Sequence, residues 1–333
     1  VRDFVGCFVG AGKGKSVITS KPDLPCDPIW GRNLQPALIR FTGGDITIRD
    51  MTYQIEDGSP CESGGDLTCI LSLSDFSGEY IPEKRQINCD IKDVEFIGGL
   101  DEGTGIAGSP CNVIMAVYCG SDVVSPGDYF PLSTGNVSVT DCYFENCICG
   151  PDAWAFDKNS VVKFENNVIE GGLQQIFVAG CMGTKVSVKG NNLSNGTFTC
   201  IYLDGFDFWY YPGLLPEEST RYVVTGNTIN CASGAVALYI RDLFRLADPL
   251  TVPPQLFDIR NNVFVTEEGT IPDPLYFEIR QSAVGIEALN VKDALITNNL
   301  FKGTGTAGIF IDGYEDSNSY AEGTKLLSND FRN

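Results

Sequence analysis

The residues best placed by type and spacing to do chemistry are a recurring set of strand-end carboxylates and two arginines. Short apolar segments end in Asp at 70–75, 154–157, 201–204, 238–242 and 309–312. If these segments superpose, Asp75, Asp157, Asp204, Asp242 and Asp312 form a row of carboxylates along one edge. Such a row suits Ca²⁺, with Asp204 and Asp242 as the candidate ligands, or the acid pair of a glycoside hydrolase. The bland reading is that Asp opens each turn through its own side-chain hydrogen bonds. Arg241 and Arg245 flank Asp242 in the best candidate basic cluster. Together with Asp204 they are the catalytic candidates, although a surface ion pair explains the same cluster.

The second unusual stretch is aromatic. Phe206, Phe208, Trp209, Tyr210 and Tyr211 crowd a loop that follows Asp204 and Gly205. Rings beside carboxylates suit sugar recognition, and Trp and Tyr are equally the residues of protein–protein hot spots. Folding of the loop onto its own flank is a third use. Residues 10–16, Gly-Ala-Gly-Lys-Gly-Lys-Ser, invite a phosphate-loop reading, but Val9 stands where that motif needs its first glycine. They read as a turn.

Composition removes much other chemistry. The chain of 333 residues has no His, which excludes Ser-His-Asp and Cys-His catalysis and His-ligated zinc. Forty-three acidic against 23 basic residues leave a net charge of −20, which repels nucleic acid and anionic lipid. No apolar run is long enough to insert into a membrane. Thirteen Cys point to an oxidising compartment. Ser-Pro-Cys followed by Cys eight residues on occurs twice, so Cys61 with Cys69 and Cys111 with Cys119 are disulfide candidates. Reduced cysteines stacked in the interior are the competing reading. A metal cluster at Cys142, Cys147 and Cys149 is disfavoured without a CxxC pair. Asn136, Asn192 and Asn195 head glycosylation sequons that fit the same compartment.

The elements that must position these groups come from a repeat. The unit apolar–x–(Asp/Asn/Gly) recurs with its third position at 50, 93, 141, 166, 190, 226, 261, 298 and 329. An apolar residue follows three places later: Tyr53, Phe96, Phe144, Ile169, Leu193, Ile229, Phe264 and Phe301. The shortest spacings, 24 and 25 residues, match a bare β-helical coil, and longer ones are that coil plus an inserted loop. Asn or Gly turns the chain sharply because both tolerate left-handed backbone, and Asn side chains can then stack along the axis. A segment from Val5 to Ile18 supplies an earlier coil.

This pattern predicts an all-β chain: a right-handed parallel β-helix of about ten coils with loop insertions, a single domain over 1–333. With no initiator Met and an end inside a repeat unit, it reads as a fragment or processed part of a longer chain. On these Asn-rich rungs, from about Val5 to Asn333, it resembles the pectate-lyase-like superfamily of secreted and surface β-helices. That resemblance implies either a polysaccharide lyase or hydrolase, with an Arg base and Ca²⁺ held by Asp, or a non-catalytic surface component. The signature segments of its pectate lyases, polygalacturonases and pectin methylesterases are missing. The expectation is therefore an extracellular or cell-surface sheath, filament, surface-layer or adhesin component. Its partners would be copies of itself, surface proteins or polysaccharide, with the lyase or hydrolase as the alternative.

Overall fold

The computed structural model describes residues 2–19, 37–55, 68–74, 86–99, 113–120, 133–205, 217–242, 253–270, 281–313 and 323–332. Within them the chain is a right-handed parallel β-helix. One bare coil shows the plan. Val161–Glu165, Val168–Glu170 and Gln174–Ala179 follow one another around it as three strands, each on its own face. Val161 lies opposite Asn136 in the preceding coil and Lys185 in the next. The first face repeats over ten levels, beginning at Arg2–Val9 and reaching Lys325–Leu327. At about 4.8 Å per level the stack is roughly 43 Å long.

A single residue makes the corner between first and second faces. Asp50, Asp93, Asp141, Asn166, Gly190, Gly226, Asn261 and Asn298 have φ between 54° and 67°. These are the expected third positions. The ninth differs by one residue: Ser328, with φ 54°, takes the corner instead of Asn329. Pairing of Ile296 with Leu326 sets that frame. It also puts Phe331 opposite Phe301, with ring centroids 4.9 Å apart, completing the apolar pattern.

The residue after the corner builds the ladder. In Asn167, Asn191, Asn227, Asn262 and Asn299, the side-chain amide and backbone N–H both donate to Oδ1 of the Asn one coil on. Each amide also donates to a strand carbonyl one coil back, as Asn227 Nδ2 does to Val188 O at 3.0 Å. Earlier coils put Met51, Val94 and Cys142 in this place. Inside, Tyr53, Phe96 and Phe144 stack at 5.5 and 5.0 Å, and Ile169, Leu193 and Ile229 continue the column. Each such side chain contributes about 1.5–3 kcal/mol by leaving water.

The glycine-rich segment 10–16 is the first coil's corner. Val9 pairs with Arg49 and Val17 with Thr52, so seven residues stand where later coils use two. Gly12 N–H donates to Asp50 O at 2.8 Å and Gly14 N–H to Thr52 Oγ1 at 2.9 Å. A Cβ on Gly10 would meet Asp50 O at 2.2 Å, so the close approach requires glycine. The segment joins two strands, which confirms a turn.

Two differences separate the faces. Strands of the first face alternate buried and open residues, as in Asn136–Thr140 and Lys185–Lys189. Strands of the third face, such as Gln174–Ala179, Thr199–Gly205 and Val236–Asp242, are buried throughout. Beyond the first coil's corner, interruptions longer than a tight turn fall on the two borders of that third face: before it at 20–36, 55–67, 98–112 and 266–283, and after it at 75–86, 121–132, 206–220, 243–255 and 313–324. A ladder corner leaves no room for extra residues without breaking its hydrogen bonds, whereas a border does.

Candidate functional site

The third face, fenced by insertions on both borders, is where groups on the outer surface converge. Ile201, Leu203, Leu238 and Ile240 enter the interior, and strand alternation sends Tyr202, Asp204, Tyr239 and Arg241 to the other side. Trp154, Phe177, Tyr202 and Tyr239 stack there along the axis. Their successive ring centroids lie 4.9, 4.7 and 5.0 Å apart with near-parallel planes. With Ala179, Val236, Val284 and Leu289 they form a second apolar layer, distinct from the interior. Both faces of Phe177 and Tyr202 are taken by neighbouring rings. Those two therefore cannot act as open platforms for a sugar.

Asp204 and Arg241 sit beside this stack, opposite each other in adjacent coils. Arg241 Nε donates to Asp204 Oδ1 at 3.1 Å and Nη2 to Oδ2 at 2.5 Å, a two-point pair with both side chains at most 10% exposed. Tyr202 Oη donates to Asp204 Oδ2 at 3.1 Å, and the guanidinium lies 6.0 Å from the Tyr239 ring centre. Burial alone would lower the Arg241 pKa, but Asp204, then Tyr202, holds it well above its ordinary value. Arg241 is thus fixed as a cation. An arginine base in β-elimination must give up its proton, which this pairing opposes.

Asp152 is a further ionisable group on this surface. It lies opposite Tyr118 and Phe177 in register and is almost fully buried. Burial raises its carboxyl pKa well above the usual range, and Trp154 offsets this only in part without reaching hydrogen-bond geometry. Burial thus favours the protonated, neutral form of the Asp152 carboxyl. Asp152 Oδ1, Trp154 Nε1, Gln174 Nε2 and Thr199 Oγ1 are buried polar atoms without a hydrogen-bond partner. Glu287, opposite Tyr239, extends the acidic edge.

The carboxylate row does not form as the spacing suggested. Register places Trp154, Ala179, Asp204, Arg241, Leu289 and Asp312 in one line, so only Asp204 and Asp312 share it among the described residues. Asp242 falls one residue further, opposite Gly205, and accepts the Gln255 N–H at 2.9 Å. Asp157 lies in the turn beyond Trp154, where its N–H donates to Ser133 O at 2.8 Å. Asp75, Arg245, and the aromatic candidates Phe206, Phe208, Trp209, Tyr210 and Tyr211 lie outside the described residues. In sequence that segment follows Gly205, the last residue of the strand Thr199–Gly205.

Sequence reasoning missed Asp152 and the ring stack. The available signal was an acid in the frame of Tyr118 and Phe177, which becomes visible only once the coils are aligned. Among the cysteine candidates, Cys119 is buried at the end of Val113–Gly120, whereas Cys61, Cys111 and the Cys69 side chain lie outside the described residues. Cys142, Cys147 and Cys149 point to separate surroundings: Thr140 O at 3.2 Å, Glu145 O at 3.4 Å and Gln174 Oε1 at 3.9 Å. Among the described residues no three acidic or sulfur side chains gather as a metal set. Asn136, Asn192 and Asn195 are exposed, and Asn136 with Ser138 borders an open groove of about 460 Å³ on the first face. No helix is long and apolar enough to cross a membrane among the described residues.

No family model and no curated protein matches the chain. Three solved structures are similar to it. The Azotobacter vinelandii mannuronan C-5 epimerase AlgE4 A-module aligns over 99% of this chain and 87% of its own, at 11% identity and a TM-score of 0.32. The Dettilon tailspike protein gp208 aligns over 98% of this chain at 10% identity and a TM-score of 0.36; this chain spans 61% of it. The Streptococcus pneumoniae surface protein and adhesin PfbA aligns over 90% of this chain and 89% of its own, at 10% identity and a TM-score of 0.27.

Proposed function

We propose that this β-helix is a non-catalytic component of an extracellular or cell-surface structure, contacting glycans or other proteins through the insertions bordering its third face. The observation that carries this reading is the Asp204–Arg241 pair. Bidentate, buried and braced by Tyr202, it consumes the arginine a lyase would need and one of the acids a hydrolase would use. The stacked rings beside it serve the rod's own packing. Binding then falls to the insertions, whose sequence includes Phe206, Phe208, Trp209, Tyr210 and Tyr211. Partners of this chemistry are polysaccharide, surface proteins or further copies of the chain, and glycans at Asn136, Asn192 or Asn195 fit the same location.

The test is incubation with acidic and neutral polysaccharides, with and without Ca²⁺, alongside an immobilised-glycan binding assay. Retention without new chain ends is the expected outcome. Release of oligosaccharides that is lost in Arg241→Ala would overturn it. The alternative, a polysaccharide lyase or hydrolase, has Asp152 in its favour: burial raises its carboxyl pKa, the direction a general acid requires, and its Oδ1 has no hydrogen-bond partner. On that reading Asp152→Asn abolishes cleavage while leaving binding intact.

A further inference from the structure

Cys200 and Cys231 stand out from the other described cysteines because their sulfurs meet. Cys200 lies in Thr199–Gly205, and Cys231 follows Thr228–Asn230 in the next coil. Both are buried in the main core, with Sγ atoms 3.2 Å apart. Cys142 and Cys181 instead rest on carbonyl oxygens, those of Thr140 and Ala179. A thiol is a weak donor and a weak acceptor, so mutual attraction alone gives little reason for such an approach. A disulfide brings sulfurs to about 2.05 Å, and the 3.2 Å approach already brings these two to within about 1.2 Å of that distance. Each residue's backbone is independently held. Cys231 N–H donates to Val265 O at 3.1 Å, and Thr199 and Ile201 are paired on both sides.

We propose that Cys200 and Cys231 form a cystine that staples two consecutive coils where the chain enters the third face, closing the stretch of chain that contains the 206–220 insertion. In a solenoid each coil touches only its neighbours, so an insertion between two coils lengthens the chain that must be ordered to join them. A covalent link there closes that loop. The chemistry is two-electron oxidation by a disulfide donor, such as oxidised glutathione or a protein disulfide. One thiolate attacks the donor, displacing a thiolate and forming a mixed disulfide. The second thiolate attacks the mixed disulfide, forming the internal bond and releasing the donor's other thiolate. Two protons are lost and the donor is reduced to two thiols. Both sulfurs are closed to solvent in the folded rod, so the bond forms while the coils are still open, and afterwards reductant cannot reach it.

The experiment refolds reduced, full-length protein from concentrated guanidinium in a glutathione redox buffer. Remaining thiols are then alkylated under denaturing conditions and the digest is mapped by mass spectrometry. The expected result is a linked peptide pair containing Cys200 and Cys231, two hydrogens lighter than the separate peptides. It survives dithiothreitol on the native protein and disappears when dithiothreitol is added in guanidinium. The refolded protein should lose its urea-midpoint advantage in the Cys200→Ala/Cys231→Ala double variant, which should match the reduced wild type. Recovery of both cysteines as alkylated thiols in the denaturing step after redox-buffered refolding overturns the proposal, as does pairing of either one with a different cysteine.

Discussion

Replacing Asn227 by alanine tests the reasoning about the ladder most directly. The side chain accepts two hydrogen bonds at Oδ1, from Asn191 N–H and Asn191 Nδ2, both at 2.9 Å. Its own Nδ2 donates to Val188 O at 3.0 Å and to Asn262 Oδ1 at 2.9 Å. In Asn227→Ala, Asn262 Oδ1 keeps the Asn227 backbone N–H. Asn191 loses the acceptor for its backbone N–H and for one amide hydrogen, both buried, and Val188 O loses its side-chain donor. An orphaned buried group costs about 1–3 kcal/mol. Two stranded donors and a small void therefore predict a loss of about 3–5 kcal/mol. Urea unfolding followed by far-ultraviolet circular dichroism gives the magnitude, and hydrogen exchange at the Asn191 amide gives the location. Asn329→Ala at the exposed last coil should cost clearly less, because water can replace the lost partner. A loss under about 1 kcal/mol in Asn227→Ala, with unchanged protection at Asn191, would refute the assignment of stability to the ladder.

Gly226→Ala should cost about 1–2 kcal/mol in the same assay through its φ of 67° alone, since the added Cβ meets nothing closer than 4.0 Å, whereas Gly226→Asn should be nearly neutral. Arg241→Ala should destabilise by about 3–5 kcal/mol by leaving the Asp204 carboxylate buried and unpaired, and the double change Arg241→Met/Asp204→Leu should recover most of that loss. Asp152→Asn should flatten a pH dependence. Below the ordinary carboxyl value of 3.8 the group is protonated folded and unfolded; as pH rises, only the unfolded chain ionises, and wild-type stability falls until the raised native pKa is passed. The variant should therefore gain on wild type from about pH 4 upward, measured as urea midpoints across pH, and parallel curves would contradict a buried neutral acid.

The fold was legible because each corner carries its own local signal. Asp50, Asn166, Gly190 and Asn298 are residue types that tolerate a positive φ, and each is followed by a ladder position and then an inward apolar residue. The reading slipped at the last coil, where Ser328 takes the corner and Asn329 belongs to the ladder. Serine is a poor marker of left-handed backbone, so the more typical Asn drew the frame one residue too far. The site was less legible because insertions shift the register. Asp157, Asp204 and Asp242 all end apolar segments, yet only pairing reveals that Asp204 faces Arg241 while Asp242 falls one step beyond. Asp152 follows Gly150 and Pro151 and matches no strand pattern, so its place in the aromatic row emerges only from its neighbours in adjacent coils.

The bare coil at Val161–Ala179 has the properties of a removable cassette. Both of its neighbours meet it in the same frame, and its Asn167 accepts the Cys142 N–H and donates its own N–H to Asn191 Oδ1. Duplicating one such stretch would lengthen the rod by about 4.8 Å without altering any side-chain environment except at the new seam. The axial distance between the strand ends at Gly120 and Gly205, after which the insertions begin in sequence, is thus set by a whole number of such units. Natural variation could respace whatever those insertions hold by adding or dropping one coil, a digital ruler rather than a continuous adjustment.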